Sequence, residues 1–180
     1  MITLVKWSVE DYHRMIQAGI LNKYNCELLA GEIVVMSPEM PIHYNIAKRG
    51  TKYLEDLLGH RAEIRFNGAI TLPDSEPEPD IAIVKPPHSK YDNHHPYPED
   101  IFWLIEVANT SLKKDLELKS LIYAQAKIPE YWVINLKTKR LIVFRQPQPE
   151  NYSFQTEWNQ ETIRPLAFPS LEIKLQNLLN

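Results

Sequence analysis

Apolar residues along this chain follow two periods. One repeats every three or four positions, the other alternates or runs unbroken, and glycine, proline and asparagine mark the joints. SVEDYHRMIQAG (8–19) has helical spacing. Ser8 is placed to cap it, Asp11 completes a capping box and Gly19 marks its end. PIHYNIAKRGTKYLEDLLG (41–59) predicts a second helix, entered through Pro41, with Ile42, Ile46, Tyr53, Leu54, Leu57 and Leu58 on its apolar face. CELLAGEIVVMS (26–37) reads as two short strands about Ala30-Gly31, and AEIRFN with GAITL (62–72) as an antiparallel pair broken at Asn67-Gly68. PDSEPEPD (73–80) is a proline-ruled loop that leads into the strand DIAIV, and KPPHSKYDNHHPYPED (85–100) is expected to be an exposed loop. IFWLIEVA (101–108) is apolar on both alternating faces, as a strand covered on both sides would be. Then follow a helix in LKKDLELKSLIYAQAK (112–127), a hairpin of EYWVINL and KRLIVFRQ, a strand in YSFQTEW (152–158) and a closing helix in LEIKLQNLL (171–179). This order predicts an α/β fold, one sheet with flanking helices, in a single domain over 1–180.

Three ionisable residues break the pattern. Glu106 sits inside the covered strand, where an unpaired carboxylate costs several kcal/mol or more unless it is protonated, paired or bound to metal. At about 100° per residue, Lys119 and Asp115 fall on the apolar side of the following helix with Leu112, Leu116, Tyr123 and Ala126. Lys113, Lys114, Glu117, Ser120 and Gln125 fall away from it. Two readings stand for the inward pair: an i,i+4 ion pair along the helix edge, or a lysine reaching the strand that carries Glu106. Asp80 opens the strand DIAIV through a Glu-Pro entry. It is either a solvated turn residue or, beside Glu106, half of an oxygen-rich site suited to Mg²⁺ or Mn²⁺. Two carboxylates with a lysine fit phosphodiester hydrolysis, since the amine can position a water and offset charge developing on phosphate.

Composition narrows the classes. The chain has 180 residues, 44% of them hydrophobic and 24% charged, with net charge −3 and pI about 6.1, which argues against tight nonspecific nucleic-acid binding. Apolar runs are too short for a membrane span. The first residues lack a secretory layout, and the lone Cys26 fits a reducing compartment, so a cytoplasmic location is expected. Lys48, Arg49 and Lys52 form either a phosphate-facing or a merely solvated helix face. His94 and His95 read as solvated.

CELLAGEIVVMSP with His43 after it, PEPDIAIV, LIEVANTS and DLELKSLIYAQAKIPEYWVI together resemble the PD-(D/E)xK nuclease superfamily and, more narrowly, the Uma-two family of restriction-endonuclease-like proteins. The resemblance implies a central mixed sheet flanked by helices and a divalent-metal site. It makes Asp80 the motif aspartate and Glu106 the second acid. The usual lysine position holds Ala108, and the family pattern moves the lysine to the next helix, at Lys119. Glu27 matches an acid that helps hold metal, and His43 matches a family position. Asp115 is expected to orient Lys119. The implied function is Mg²⁺- or Mn²⁺-dependent cleavage of nucleic acid, with DNA the expected form and a homodimer the expected assembly. Rival readings are a catalytically inactive nuclease-fold binding or scaffold protein and a small-molecule metal hydrolase. Lys127 stands where the family often has glycine, and Asn135 where it often has aspartate.

Overall fold

A computed structural model describes residues 4–179; the ends of the expected 1–180 domain, 1–3 and 180, lie outside the described residues. The chain forms α1 (Val9–Gln17), the hairpin β1 (Cys26–Leu29) and β2 (Glu32–Val35), and α2 (Pro41–Leu58). Strands β3 (Glu63–Phe66), β4 (Ile81–Val84) and β5 (Ile101–Ala108) follow. A helical crossover comes next: α3 (Leu112–Lys114), a π-helical turn (Asp115–Lys119) and α4 (Ser120–Gln125). The chain ends with β6 (Glu130–Asn135), β7 (Arg140–Pro147), β8 (Tyr152–Trp158), β9 (Thr162–Ile163), β10 (Ile173–Lys174) and α5 (Leu175–Leu179).

Six strands make one mixed sheet in the order β3-β4-β5-β6-β7-β8. Only β5 and β6 run parallel; the other neighbours are antiparallel. The parallel pair requires a crossover, and 112–125 supplies it. Alternation along β5 sends Trp103, Ile105 and Val107 to the face covered by α2 and α5, and Leu104 and Ala108 to the face covered by α4. Both faces are therefore dry, which accounts for the unbroken apolar run. Glu106 shares the α4 face with Leu104 and Ala108 by the same alternation.

Local chemistry explains the joints. Ser8 and Asp11 close the expected capping box at α1. Ala30 and Gly31 both adopt positive φ between β1 and β2, and a Cβ on Gly31 would meet Lys6 Cβ at 2.9 Å. Lys127 sits at φ 61, the left-handed region that favours glycine. Asn135 Oδ1 accepts from the N–H groups of Lys137 and Thr138, so its amide oxygen closes the β6–β7 turn as an aspartate would.

The structure corrects several expectations. Segment 68–72 is not the partner of β3. The Ile70, Thr71 and Leu72 N–H groups donate to Pro77, Pro96 and Ser75 carbonyls, so loops take the donors a ladder would have used, and β3 pairs with β4. Loop 85–100 is not simply exposed: Tyr91, Pro96 and Asp100 are buried, and His94 stacks on Tyr97 at 4.9 Å. The closing helix is shorter, because Ile173 and Lys174 pair with β9 first. Ile42 is exposed, and Ser120 is buried, donating to Leu116 O at 2.6 Å. Among the described residues no helix is long and apolar enough to cross a membrane.

Candidate metal centre

The register Ile81↔Ile105 is antiparallel, so one step outward brings Asp80 beside Glu106 at the mouth of the sheet. Asp80 Oδ2 accepts the Val107 N–H at 2.6 Å. Glu106 is 3% exposed, and its Oε1 takes two donors from the crossover: Lys119 Nζ at 2.8 Å and Tyr123 Oη at 2.9 Å. Lys119 and Tyr123 are four residues apart, one helical turn, so one stretch of chain delivers both. The π-helical turn ends at Lys119, and such turns often mark functional sites.

Lys119 is 3% exposed and also lies 3.3 Å from Glu27 Oε2. Burial disfavours its ammonium, but Glu106, Glu27 and Asp115 outweigh that and hold it protonated. Burial pushes the Glu106 carboxyl above the ordinary carboxylate range; Lys119 opposes this, and Asp80 and Asp115 add to it. Glu27, on β1 and fully buried, goes the other way: burial would raise its pKa, but Lys119 and Lys114 together bring it below the ordinary carboxylate value. Both its oxygens are engaged, Oε1 by Lys114 Nζ at 2.8 Å and Oε2 by Lys119 and the Glu78 N–H.

His43 packs on Asp80. Its Nε2 is 3.2 Å from Asp80 Oδ2, and its Nδ1 is 2.6 Å from Glu39 Oε1. Burial works against the imidazolium, yet the two carboxylates raise its pKa to about 9. Asp115 is buried as the helical period predicts, and burial pushes its carboxyl up against the pull of Lys119. The edge-pair reading fails, since both residues are buried and, among the described residues, no ion pair joins them. Asp115 acts on Lys119 through charge rather than contact.

These side chains line one cleft of about 420 Å³. The donor set suits a hard dication. Asp80 and Glu106 come from neighbouring strands and both line the cleft, and carboxylate oxygens are the ligand type Mg²⁺ and Mn²⁺ prefer. Among the described residues, the group of three acids and histidines whose ligand atoms converge is Glu39, His43 and Asp80, one atom each and all within 4.8 Å of one another.

The sequence reading missed Glu39, Glu78 and Lys114 in this cleft. Glu78 is half-buried, and burial and Glu27 raise its pKa; its place two residues before Asp80 was the available signal. Lys114 was expected to point away, but its stem reaches Glu27, which no helical period could reveal. The expected residues Glu27, His43, Asp80, Glu106, Asp115 and Lys119 all line the cleft.

Over residues 9–176 the sequence matches the Uma2 family, described as "Putative restriction endonuclease". The fold is similar to a solved structure described as "a putative nuclease belonging to DUF820" from Anabaena variabilis ATCC 29413. Identity is 17%, the TM-score 0.71, and the match covers 86% of this chain and 89% of that one. At that identity the likeness is one of fold: the mixed sheet flanked by helices is restriction-endonuclease-like. No curated protein matches the sequence.

Proposed function

The chain belongs to the Uma2 family, and from that footing we propose that it is a nuclease hydrolysing phosphodiester bonds of nucleic acid, DNA foremost, with Mg²⁺ or Mn²⁺. One observation carries the reading: a buried lysine held between two acids, with a third acid, Asp80, lining the same cleft.

Asp80 and Glu106 would hold the cation, with His43 able to join through Asp80's side. The bound dication would supply Lewis-acid polarisation of the phosphate and a lowered pKa for water. The chain's own residues do the rest. Lys119, fixed by Glu106 and Glu27, keeps its proton and presents a localised positive charge to the phosphate and the attacking water. Glu27 assists through Lys119, since both its oxygens are committed. Tyr123 fixes the Glu106 rotamer from beneath. Asp115 adds negative field behind the lysine and keeps it oriented. The Val107 N–H locks Asp80 to the strand that carries Glu106, so the two acids move as one unit. We place the activity in a single cytoplasmic domain over 1–180. Cleavage of both strands of a duplex calls for two such sites, hence a homodimer, which sedimentation would test.

The test is nicking of supercoiled DNA with Mg²⁺ or Mn²⁺ by wild type, Asp80→Ala and Lys119→Ala. Cleavage is expected in the wild type alone. Equal cleavage by all three would mark a contaminant and remove the assignment.

A second reading, a catalytically inactive nuclease-fold scaffold, has one observation in its favour. Lys114 and Lys119 already neutralise Glu27 and Glu106 without any cation. Melting with Mn²⁺ separates the two, because a native-state ligand raises the melting temperature. A rise that Asp80→Ala abolishes supports the nuclease; no rise supports the scaffold.

A further inference from the structure

The first turn of α2 presents its apolar side chains to solvent. The sequence pattern places Ile42 in the core, yet Ile42 is 51% exposed, and Met40 and Tyr44 on either side are 56% and 43% exposed. His43, between them, turns inward to Asp80. Exposed apolar residues are ordinary when scattered, but these three bracket a residue of the cleft, and Met40 itself lines it.

Tyr44 meets Phe66 edge to face, with centroids 5.5 Å apart at 78°. Phe66 packs against the core, so the exposed ring of the pair is that of Tyr44. Lys48, one turn after Tyr44, sets its Nζ 4.8 Å from the Phe66 centroid. Phe66 ends the edge strand β3 and pairs with Ile81, the residue after Asp80. The next residue, Asn67, donates its N–H to the Asp80 carbonyl at 3.0 Å and lines the cleft. By this ladder the aromatic pair starts on the order of 10 Å from the Asp80 Cα, close to the length of a nucleotide.

We infer that Tyr44 and Phe66, with Lys48, form a stacking platform for one unpaired nucleobase, so that the strand entering the cleft is single-stranded or opened at the cut. This rests on the nuclease reading for what occupies the cleft. The chemistry fits a nucleotide on two counts. The exposed Tyr44 ring, backed by Phe66, accepts any base by stacking, and the lysine beside the pair meets the adjoining phosphate. A base paired inside a duplex has its faces covered by its neighbours and cannot use the platform.

The experiment measures binding without cleavage, in EDTA, of a short single strand and of the fully paired duplex of the same sequence. Wild type, Tyr44→Ala, Tyr44→Trp and Asp80→Ala are compared. A 2-aminopurine placed at successive positions reports stacking. Tyr44→Ala is expected to weaken single-strand binding roughly 5- to 150-fold, leave duplex binding unchanged and abolish quenching of the one stacked 2-aminopurine. Tyr44→Trp should keep both. Tyr44 is exposed, so the variant is expected to melt with the wild type; Phe66→Ala gives an independent second arm. Equal single-strand affinity and quenching in Tyr44→Ala and wild type would overturn the platform. So would a change in sedimentation confined to Tyr44→Ala, which would assign the patch to a second copy of the chain. Cleavage that survives with no stacking signal sinks the platform and spares the nuclease. A stacking signal without cleavage does the reverse. No nucleic-acid binding by the wild type overturns both.

Discussion

Replacing Lys119 with methionine keeps most of the side chain's volume and removes its charge. The amine lies 2.8 Å from Glu106 Oε1 and 3.3 Å from Glu27 Oε2, with all three side chains buried. At an effective dielectric of about 20 these contacts amount to roughly 6 and 5 kcal/mol of gross attraction. Desolvating each ion offsets several kcal/mol of that. The variant recovers little of the offset, because Glu27, Glu106 and Asp115 stay buried without their cation. Removing one partner of a buried pair costs about 3–5 kcal/mol. Glu106 moderates the loss by taking up a proton, because burial already pushes its carboxyl up and the variant removes the amine that opposed the shift. The expected loss is therefore about 3 kcal/mol at pH 7, or roughly 6–12 °C in melting temperature for a chain of this size. Urea unfolding in EDTA measures it.

A second substitution makes the reasoning sharper. Glu106→Gln in the Lys119→Met background removes one stranded charge and should return about 1–2 kcal/mol. The same change in the wild type strips Lys119 of its nearest partner and should destabilise. Opposite signs in the two backgrounds are the signature of a coupled pair. If Lys119→Met unfolds within about 0.5 kcal/mol of the wild type, or Glu106→Gln has the same sign in both, the buried charge cluster does not exist as described.

Other perturbations read other parts of the molecule. His43 is raised from 6.5 to about 9, so the stability it gives the metal-free protein is complete below pH 6.5 and is lost as pH climbs through 9. His43→Gln should remove up to roughly 3 kcal/mol of that decline in EDTA. A shallower slope will remain, because Glu106 titrates in the same direction. Unchanged pH curves would mean that His43 is not paired with Asp80. Glu130 is fully buried and accepts from Trp132 Nε1 at 2.8 Å, Arg145 Nε at 2.8 Å and the Leu166 N–H at 2.7 Å. Glu130→Ala strands all three donors and should cost about 3 kcal/mol or more by urea unfolding, without altering metal binding. Lys127→Gly relieves a φ of 61 at the turn into β6 and should raise stability by up to about 1 kcal/mol, read as a higher unfolding midpoint.

The three residues that first looked out of place were legible for one reason. A charged residue in a dry periodic position contradicts its surroundings, and sequence displays that contradiction directly. Glu106 broke an apolar strand, and Lys119 and Asp115 broke an apolar helical stripe. The other charged groups of the cleft were harder to see. Lys114 lies on the polar side of the same helix by period, and only its long stem brings it to Glu27, 87 positions away. Glu39 and His43 are four apart at a helix start, a spacing that reads as an ordinary solvated pair until Asp80 arrives on the other side of the ring. The mistaken strand at 68–72 has the same origin. Alternation showed that Ile70 and Leu72 would be buried, and both are, but the carbonyls that receive their N–H groups come from Pro77 and Ser75 in the following loop. Periodicity reports what a side chain is surrounded by and carries no record of which distant group satisfies it. Glu106 shows the consequence for function. Its partner Lys119 was found because the short crossover left the helix nowhere else to pack, whereas the second contact of that same lysine, Glu27, needed a hairpin folded back from the other end of the chain.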